Sequence, residues 1–583
     1  MSAEANERNP DERGAKPDSN RAAERLYRRI VEAQPDYADA WQMLGVSLFN
    51  QGRSIEAAAA FSRAAALSPD RADYQHNLGL VLAQTGDADG AIAALTRASQ
   101  LDSRDAGALF QLGNVYAALR RSEPALESFS QAVARRPDFV DALNNLGMML
   151  IDVGRVAEAL DGFNRALAVD PSRALIDSNR VFALHFHLND PAAILAEHRI
   201  WNRRHAAPLA SEIRPHENDR NPDRRLRIGY LSPDFFQHCQ ALYTIPLFSR
   251  HAKGEFEIYC YADVPNPDSY TREIRSHADV WRETAGKTDA EVARMIRDDR
   301  IDVLVDLTMH MLRARPLVMA RKPAPVQIAW LAYPSTTGLE TIDYRLTDPN
   351  LDPPGVGDEF YTEKSIRLPD TFWCFDPLSE QPPVNPLPAL TGGAFTFGCL
   401  NNFCKVNDDL LRIWSAAVNA VPGSRLLMLT PEGSARRHVL EVTGLAAERV
   451  DFVPIQPRPR YLETYHRIDL GLDTFPYNGH TASLDSLWMG VPVVTRMGKT
   501  AVSRAGLSQT ANLGLTDLVA RTPEEFVKLA VAWASDLPRL ADLRSKLRPR
   551  MAKSPLMDST RFARNIEAVY RDVWRTWCKG NRS

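Results

Sequence analysis

The sequence predicts a helical solenoid followed by two Rossmann-like α/β lobes that face a cleft. Three observations carry this expectation. Residues in the first third recur at a period of 34. From near residue 222, short β-rich runs alternate with helical stretches. That alternation breaks at a proline-rich bridge, DPLSEQPPVNPLPALTGG (376 to 393), and then restarts. A chain of 583 residues is too long for one core, so several domains are expected. Their boundaries are a disordered N-terminus (1–19), repeats (20–171), a helical capping or linker segment (172–222), a first lobe (223–385) and a second lobe (386–583).

The N-terminal stretch MSAEANERNPDERGAKPDSNR is polar and lacks the apolar core of a secretory signal, so a cytoplasmic location is the expectation. No run of about 18 apolar residues marks a membrane span. The formal net charge of −3 gives no support for nucleic-acid binding through phosphates. Six cysteines are scattered, none spaced as CxxC, so neither a disulfide framework nor a structural zinc site is expected.

In the repeat segment Gly45, Gly79, Gly113 and Gly147 are spaced by 34, as are Ala57, Ala91, Ala125 and Ala159. Ala64, Ala98, Ala132 and Ala166 share the same spacing, and a large apolar register holds Phe61, Leu95, Phe129 and Phe163. Small residues let paired helices approach closely, large ones fill the gap, and Pro69, Pro137 and Pro171 stop the second helix of a unit. Period and pattern are similar to the tetratricopeptide repeat. Tyr27, Ile30 and Pro35 suggest half a unit ahead of the first full one. Each Leu-Gly pair is preceded by Met43, Asn77, Gln111 or Asn145. Amides at Asn77, Gln111 and Asn145 on an inner groove would pair with the backbone of an extended peptide; the alternative is solvated polar positions on helix surfaces.

In the first lobe RLRIGYLS, FEIYCYAD and IDVLVDLT read as strands; in the second, FTFGCLN, SRLLMLT, RVDFVPI, DLGLDTF and PVVTRM do. Ligands of open parallel sheets sit beyond the carboxyl ends of the strands. Those ends carry His238, then Asp306 and His310, then Asn402 and Lys405, then the turn with Asn478, Gly479, His480 and Thr481. That turn, DTFPYNGHTASLDSLWMG, hands a strand to a helix, which aims free N–H groups and the positive end of the helix dipole at one spot suited to an anion. Taken singly, His238 also reads as a satisfied core histidine, Lys405 as a solvated loop lysine and Asp485 as a first-turn helix residue. No GxGxxG or Walker sequence is present, which weakens dehydrogenase and kinase readings.

The chain resembles the protein O-linked N-acetylglucosamine transferases, with RLRIGYLSPDFFQH, RKPAPVQIAWLAYPSTTG, CLNNFCKVND, LDTFPYNGHTASLDSLWMGVPVVT and MAKSPLMD as the matching pieces. The resemblance implies repeats followed by a GT-B glycosyltransferase region. It implies that His238 is the active-site histidine and the first candidate for the base, with Asp306 as an alternative, and that Asp306 and His310 lie in the loop facing acceptor and sugar. It implies that Lys405 supports the donor diphosphate, with Asn402 at an amide position beside it. His480 and Thr481 fall in the turn that holds that diphosphate, and Asp485 at the acid that binds the ribose.

Tyr461 and Thr464 stand where some relatives carry a histidine and an arginine on the nucleobase, and Ala482 replaces a frequent threonine. The implied activity is inverting transfer of N-acetylglucosamine from UDP-N-acetylglucosamine to Ser or Thr of acceptor proteins, without cofactor or metal. A GDP-fucose or CMP-nonulosonate donor, the latter for flagellin glycosylation, is the alternative, and a non-catalytic repeat scaffold is another. Self-association is left open.

Overall fold

The computed structural model describes residues 17–378 and 381–580. The chain divides into two units, residues 1–153 with 161–171, and residues 154–160 with 172–583. Of the N-terminus expected to be disordered, residues 1–16 lie outside the described residues, and a helix already spans Pro17–Ala33.

The first unit is a stack of antiparallel helix pairs. Ala38–Asn50 pairs with Ser54–Leu67, Ala72–Thr85 with Ala88–Leu101, and Ala106–Ala118 with Ser122–Arg135. The periodic glycines explain the close pairing. A Cβ at Gly45, Gly79, Gly113 or Gly147 would come within 2.5–2.6 Å of the side chain of Phe61, Leu95, Phe129 or Phe163 respectively. The alanines at 57, 91, 125 and 159 and at 64, 98, 132 and 166 are all fully buried. Tyr27 and Ile30 pack against the core of the first full pair, as a half unit should.

The second unit holds two parallel sheets. The first comprises β1 (Leu226–Ser232), β2 (Phe256–Ala262), β3 (Val280–Glu283), β4 (Val303–Asp306), β5 (Val326–Ala329), β6 (Tyr344–Thr347) and β7 (Lys364–Arg367), in the order β3-β2-β1-β4-β5-β6-β7. The second comprises β8 (Thr396–Cys399), β9 (Arg425–Leu429), β10 (Val450–Val453), β11 (Leu470–Leu472), β12 (Val493–Arg496) and β13 (Val519–Ala520), in the order β10-β9-β8-β11-β12-β13. All the pairings are parallel. The strands near each sheet centre are buried on both faces, which is why the runs VLV (303–305) and LLML (426–429) are continuously apolar. Strand order reverses between β1 and β4 in the first sheet and between β8 and β11 in the second. Such a reversal splays the flanking crossover connections apart and opens a crevice at the carboxyl ends of the two strands.

One domain boundary differs from expectation. The last helix, Ser559–Lys579, was expected in the second lobe but packs on the first. Its Tyr570 hydroxyl lies 2.9 Å from that of Tyr230 on β1, and Glu567 accepts from the His251 ring at 2.9 Å. The cause is an apolar stripe, Phe562, Ile566, Tyr570 and Trp574, that one helix face must bury.

Candidate functional site

The residues singled out at strand ends follow the four strands that flank the two reversals. His238 follows β1, Asp306 ends β4, Lys405 follows β8, and the turn 473–481 follows β11. The lobes touch here. The Tyr243 and Thr481 hydroxyls lie 2.8 Å apart, one donating to the other across the lobe boundary.

The turn is held rigid from below. Asp473, buried, accepts from the Thr474 N–H at 2.8 Å, the Gly479 N–H at 2.6 Å and the Thr495 hydroxyl at 2.6 Å. Burial raises its carboxyl to about 6 against the pull of those donors. Asn478 is fully buried, and its amide donates to the Thr474 and Arg496 carbonyls at 2.8 and 3.3 Å. Asn478 thus shapes the turn from within instead of presenting its side chain to a ligand. A Cβ at Gly479 would collide with Ser483 and come within 2.8 Å of the Asn401 amide, so only glycine fits.

Above this scaffold the helix Thr481–Trp488 begins at His480, whose side chain makes no capping bond. The first N–H groups of that helix therefore have no side-chain acceptor and carry the positive end of its dipole. The His480 Nε2 is buried without a partner. Its ring is wedged 4.9 Å from Tyr477 and 5.6 Å from Trp373, and burial together with the nearby Lys405 charge drives its imidazole well below the ordinary value.

Lys405 converges on the same spot. Its Nζ donates to the Asn478 carbonyl at 2.9 Å and rests 4.2 Å above the Tyr477 ring. Among the described residues no carboxylate lies within ion-pair distance of it. Burial lowers the ammonium from its usual value, with the Cys404 thiol and Asp473 opposing. A cation without a counter-ion beside an uncapped helix N-terminus is an arrangement suited to an anion.

Other expected members fare differently. Asp485 is 2% exposed and bound by Arg458 through two bonds of 2.8 and 3.1 Å. Arg458, absent from the residues read from the sequence, also keeps a buried Nε with no partner. Tyr461 stacks edge-on to Tyr465, and their hydroxyls lie 2.8 Å apart, while Thr464 donates to the Arg460 carbonyl at 2.9 Å. The hydroxyls at both positions are thereby engaged by near neighbours in the chain. The Asn402 side chain is exposed, whereas the neighbouring Asn401 is the amide that packs against Gly479.

His238 is part-exposed, 3.8 Å from the Asp234 carboxylate and 3.7 Å from the Cys239 sulfur. Burial lowers its imidazole, but Cys239 and Asp234 more than reverse this and raise it to about 9. Asp306 is buried and accepts from the Thr308 N–H at 2.9 Å and the Met309 N–H at 3.2 Å; burial raises it to about 6. It pins its loop.

His310, expected to face acceptor and sugar, is instead fully buried with both ring nitrogens engaged, one with the Ser178 hydroxyl at 3.1 Å and the other with the Thr337 carbonyl at 2.7 Å. It belongs to a sealed cluster with His198, 5.3 Å away, and His185. Burial lowers His185 to about 3, and neither of its ring nitrogens has a partner. Because the folded-state value lies below the ordinary 6.5, the unfolded chain gains a proton first as pH falls. The stability tied to neutral His185 is full above about 6.5 and is lost progressively toward about 3. His185→Phe removes this liability, and its stability relative to wild type should rise by about 2 kcal/mol between pH 7.5 and pH 5 in urea titrations. Parallel pH profiles for the two proteins would contradict the burial-driven shift.

In the repeat unit, Gln111 and Asn145 are joined through Asn114, which lies outside the 34-residue register of amides: Asn145 donates to Asn114 at 2.8 Å, and Asn114 to Gln111 at 3.4 Å. Asn77 is half-buried on the corresponding helix, Ala72–Thr85, and Met43 is exposed. Among the described residues no helix is long and apolar enough to cross a membrane, and no cluster of three or more His, Cys, Asp or Glu could hold a metal ion.

Comparison with known proteins agrees with the two units. A model described as glycosyl transferase family 41 matches residues 199–380 and 387–566, and a tetratricopeptide repeat model matches 18–72, 43–108 and 110–174. A Petunia hybrida protein named "Probable UDP-N-acetylglucosamine--peptide N-acetylglucosaminyltransferase SPINDLY" is 39% identical over 426 residues, 71% of this chain and 45% of that protein. The corresponding Arabidopsis thaliana protein named SEC is 29% identical over 62% of this chain and 38% of its own length. The chain spans about half the length, or less, of these curated relatives. A solved structure of a Thermobaculum terrenum O-GlcNAc transferase mutant superposes with a TM-score of 0.80 and 34% identity, covering 87% of this chain and 99% of that one.

Proposed function

The chain belongs to glycosyl transferase family 41, and from that membership we propose that it transfers a sugar, with inversion, from a nucleotide-sugar donor to Ser or Thr hydroxyls of protein acceptors. The observation that carries this reading is the unpaired Lys405 ammonium held against a turn whose helix N-terminus is uncapped. That pairing suits the diphosphate of a departing nucleotide. The acceptor oxygen bonds to the anomeric carbon, the bond from that carbon to the phosphate oxygen breaks, and its electron pair stays on the diphosphate. Lys405 and the N–H groups at Thr481 and Ala482 neutralise the charge as it grows, with no metal needed at this point. Asp485, released from or shared with Arg458, holds the ribose.

His238 meets the acceptor hydroxyl. With its imidazole raised to about 9, the fraction able to accept a proton grows with pH across the neutral range. The amides Asn77, Gln111 and Asn145 bind the backbone of the acceptor segment, a role that the Asn114 link supports by lining up successive amides.

UDP-N-acetylglucosamine is the donor favoured by the names of the relatives. The aromatic Tyr461 and the small Thr464 in place of a histidine and an arginine keep GDP-fucose and CMP-nonulosonate in the comparison. A thermal-shift panel of these three donors, followed by donor hydrolysis with the best of them, tests the reading. A ligand bound only by the folded state raises the melting temperature with its affinity. One donor is expected to stand out and to be turned over. No shift with any of them, and no hydrolysis, would leave the non-catalytic scaffold as the surviving description.

A further inference from the structure

The helix Ala174–His187 begins where the repeat model ends, at residue 174, and ends before the family 41 match begins, at residue 199. A linking helix ordinarily keeps one face in water. This one buries ten of its 14 residues. Its aromatic side chains reach cleft loops of both lobes. Phe182 packs 5.1 Å from Tyr333, beyond β5 of the first sheet. Phe186 stacks on Tyr477, in the turn of the second sheet, with ring centroids 5.2 Å apart and planes at 27°. The loop that follows the helix adds a further tie, because the Asn189 side chain accepts from the Lys499 N–H at 2.8 Å.

Tyr477 is the ring on which Lys405 rests, at 4.2 Å. Phe186 and Tyr477 are 6% and 5% exposed, so neither ring has room to swing without the other. We propose that Phe186 is a positioning residue for sugar transfer: its stack on Tyr477 fixes the ring that aims the Lys405 ammonium at the leaving phosphate. The helix before the transferase region is then part of the site. This rests on the assignment of Lys405 to the donor phosphates.

The positioning acts only through Lys405, and a double-mutant cycle isolates that dependence. Phe186→Leu keeps an apolar side chain but removes the flat stacking face. Turnover and UDP or GDP affinity are measured for Phe186→Leu, Phe186→Tyr, Lys405→Ala and the Phe186→Leu/Lys405→Ala pair. Phe186→Leu should lower kcat by about tenfold or more, since small displacements of a charge-stabilising group are costly. It should weaken UDP or GDP by several-fold and leave the bare nucleoside unaffected. Phe186→Tyr should restore turnover to within about twofold, and in the Lys405→Ala background Phe186→Leu should add no further loss.

Wild-type turnover in Phe186→Leu, or a loss that multiplies with that of Lys405→Ala, overturns the proposal. Wild-type turnover in Lys405→Ala overturns the phosphate assignment itself, whatever Phe186 does. Should Phe186→Leu not fold, Tyr477→Leu against Tyr477→Phe asks the same question from the other ring. Loss in the first and retention in the second is the expected pair, and equal activity of the two contradicts the proposal.

Discussion

Lys405→Ala is expected to lower turnover by about 10²–10³-fold, the scale set by removing one preorganised charge-stabilising donor, or about 2.7–4 kcal/mol of barrier. The fold should survive. Among the described residues the ammonium donates to the Asn478 carbonyl and contacts the Tyr477 ring. Burial already opposes its charge, so its removal relieves desolvation as it forfeits the ring contact. A melting temperature near wild type with turnover collapsed is the expected combination. Turnover within a few-fold of wild type would mean that another group carries the leaving-group charge.

Arg458→Met should have the largest effect on stability. It leaves Asp485, 2% exposed, as a buried carboxylate without its two-bond partner. Breaking a buried pair from one side typically costs about 3–5 kcal/mol. Burial already raises the Asp485 carboxyl above the ordinary range, and the arginine opposes that rise. Without the arginine the carboxyl rises further and protonates more readily. The deficit should therefore shrink as pH falls from 7 toward 5, the opposite of ordinary acid destabilisation. Adding Asp485→Asn should recover much of the lost stability, because a neutral amide costs less to bury. Donor binding should remain impaired in both variants. A deficit independent of pH, with no recovery in the double variant, would show that packing and not charge is at stake.

The contrast between these two residues explains what the sequence discloses. Lys405 follows a strand, within a short run of distinctive composition, and its destination is set by sheet topology: strand ends beside the order reversals converge. Arg458 opens the short helix Arg458–Thr464 and pairs with a residue 27 positions later, in the helix Thr481–Trp488, and QPRPRY carries no periodic signal of that. The repeats were legible because their constraint is local: each glycine faces one large side chain of the next helix, and the pattern recurs.

The position of His310 is hidden in the sequence for a related reason. A histidine after a strand reads the same whether its ring enters the cleft or, as here, turns inward to Ser178 and Thr337. Those partners lie 132 and 27 residues away. Chain order points the C-terminal helix to the second lobe, whereas its apolar stripe finds its surface on the first. Asn402 and Asn401 are adjacent, and one residue of register decides which amide packs against Gly479.

The central claim is that Lys405 and the turn 478–481 grip the phosphates of a nucleotide. Calorimetric titration of UDP against uridine, with GDP against guanosine beside it, tests this directly in the wild type and in Lys405→Ala. One diphosphate should bind wild type at least about 100-fold more tightly than its nucleoside, and Lys405→Ala should erase about tenfold or more of that advantage, as charge-assisted hydrogen bonds of about 1.5–3 kcal/mol require. A diphosphate that binds no better than its nucleoside, or an advantage untouched by Lys405→Ala, would contradict it.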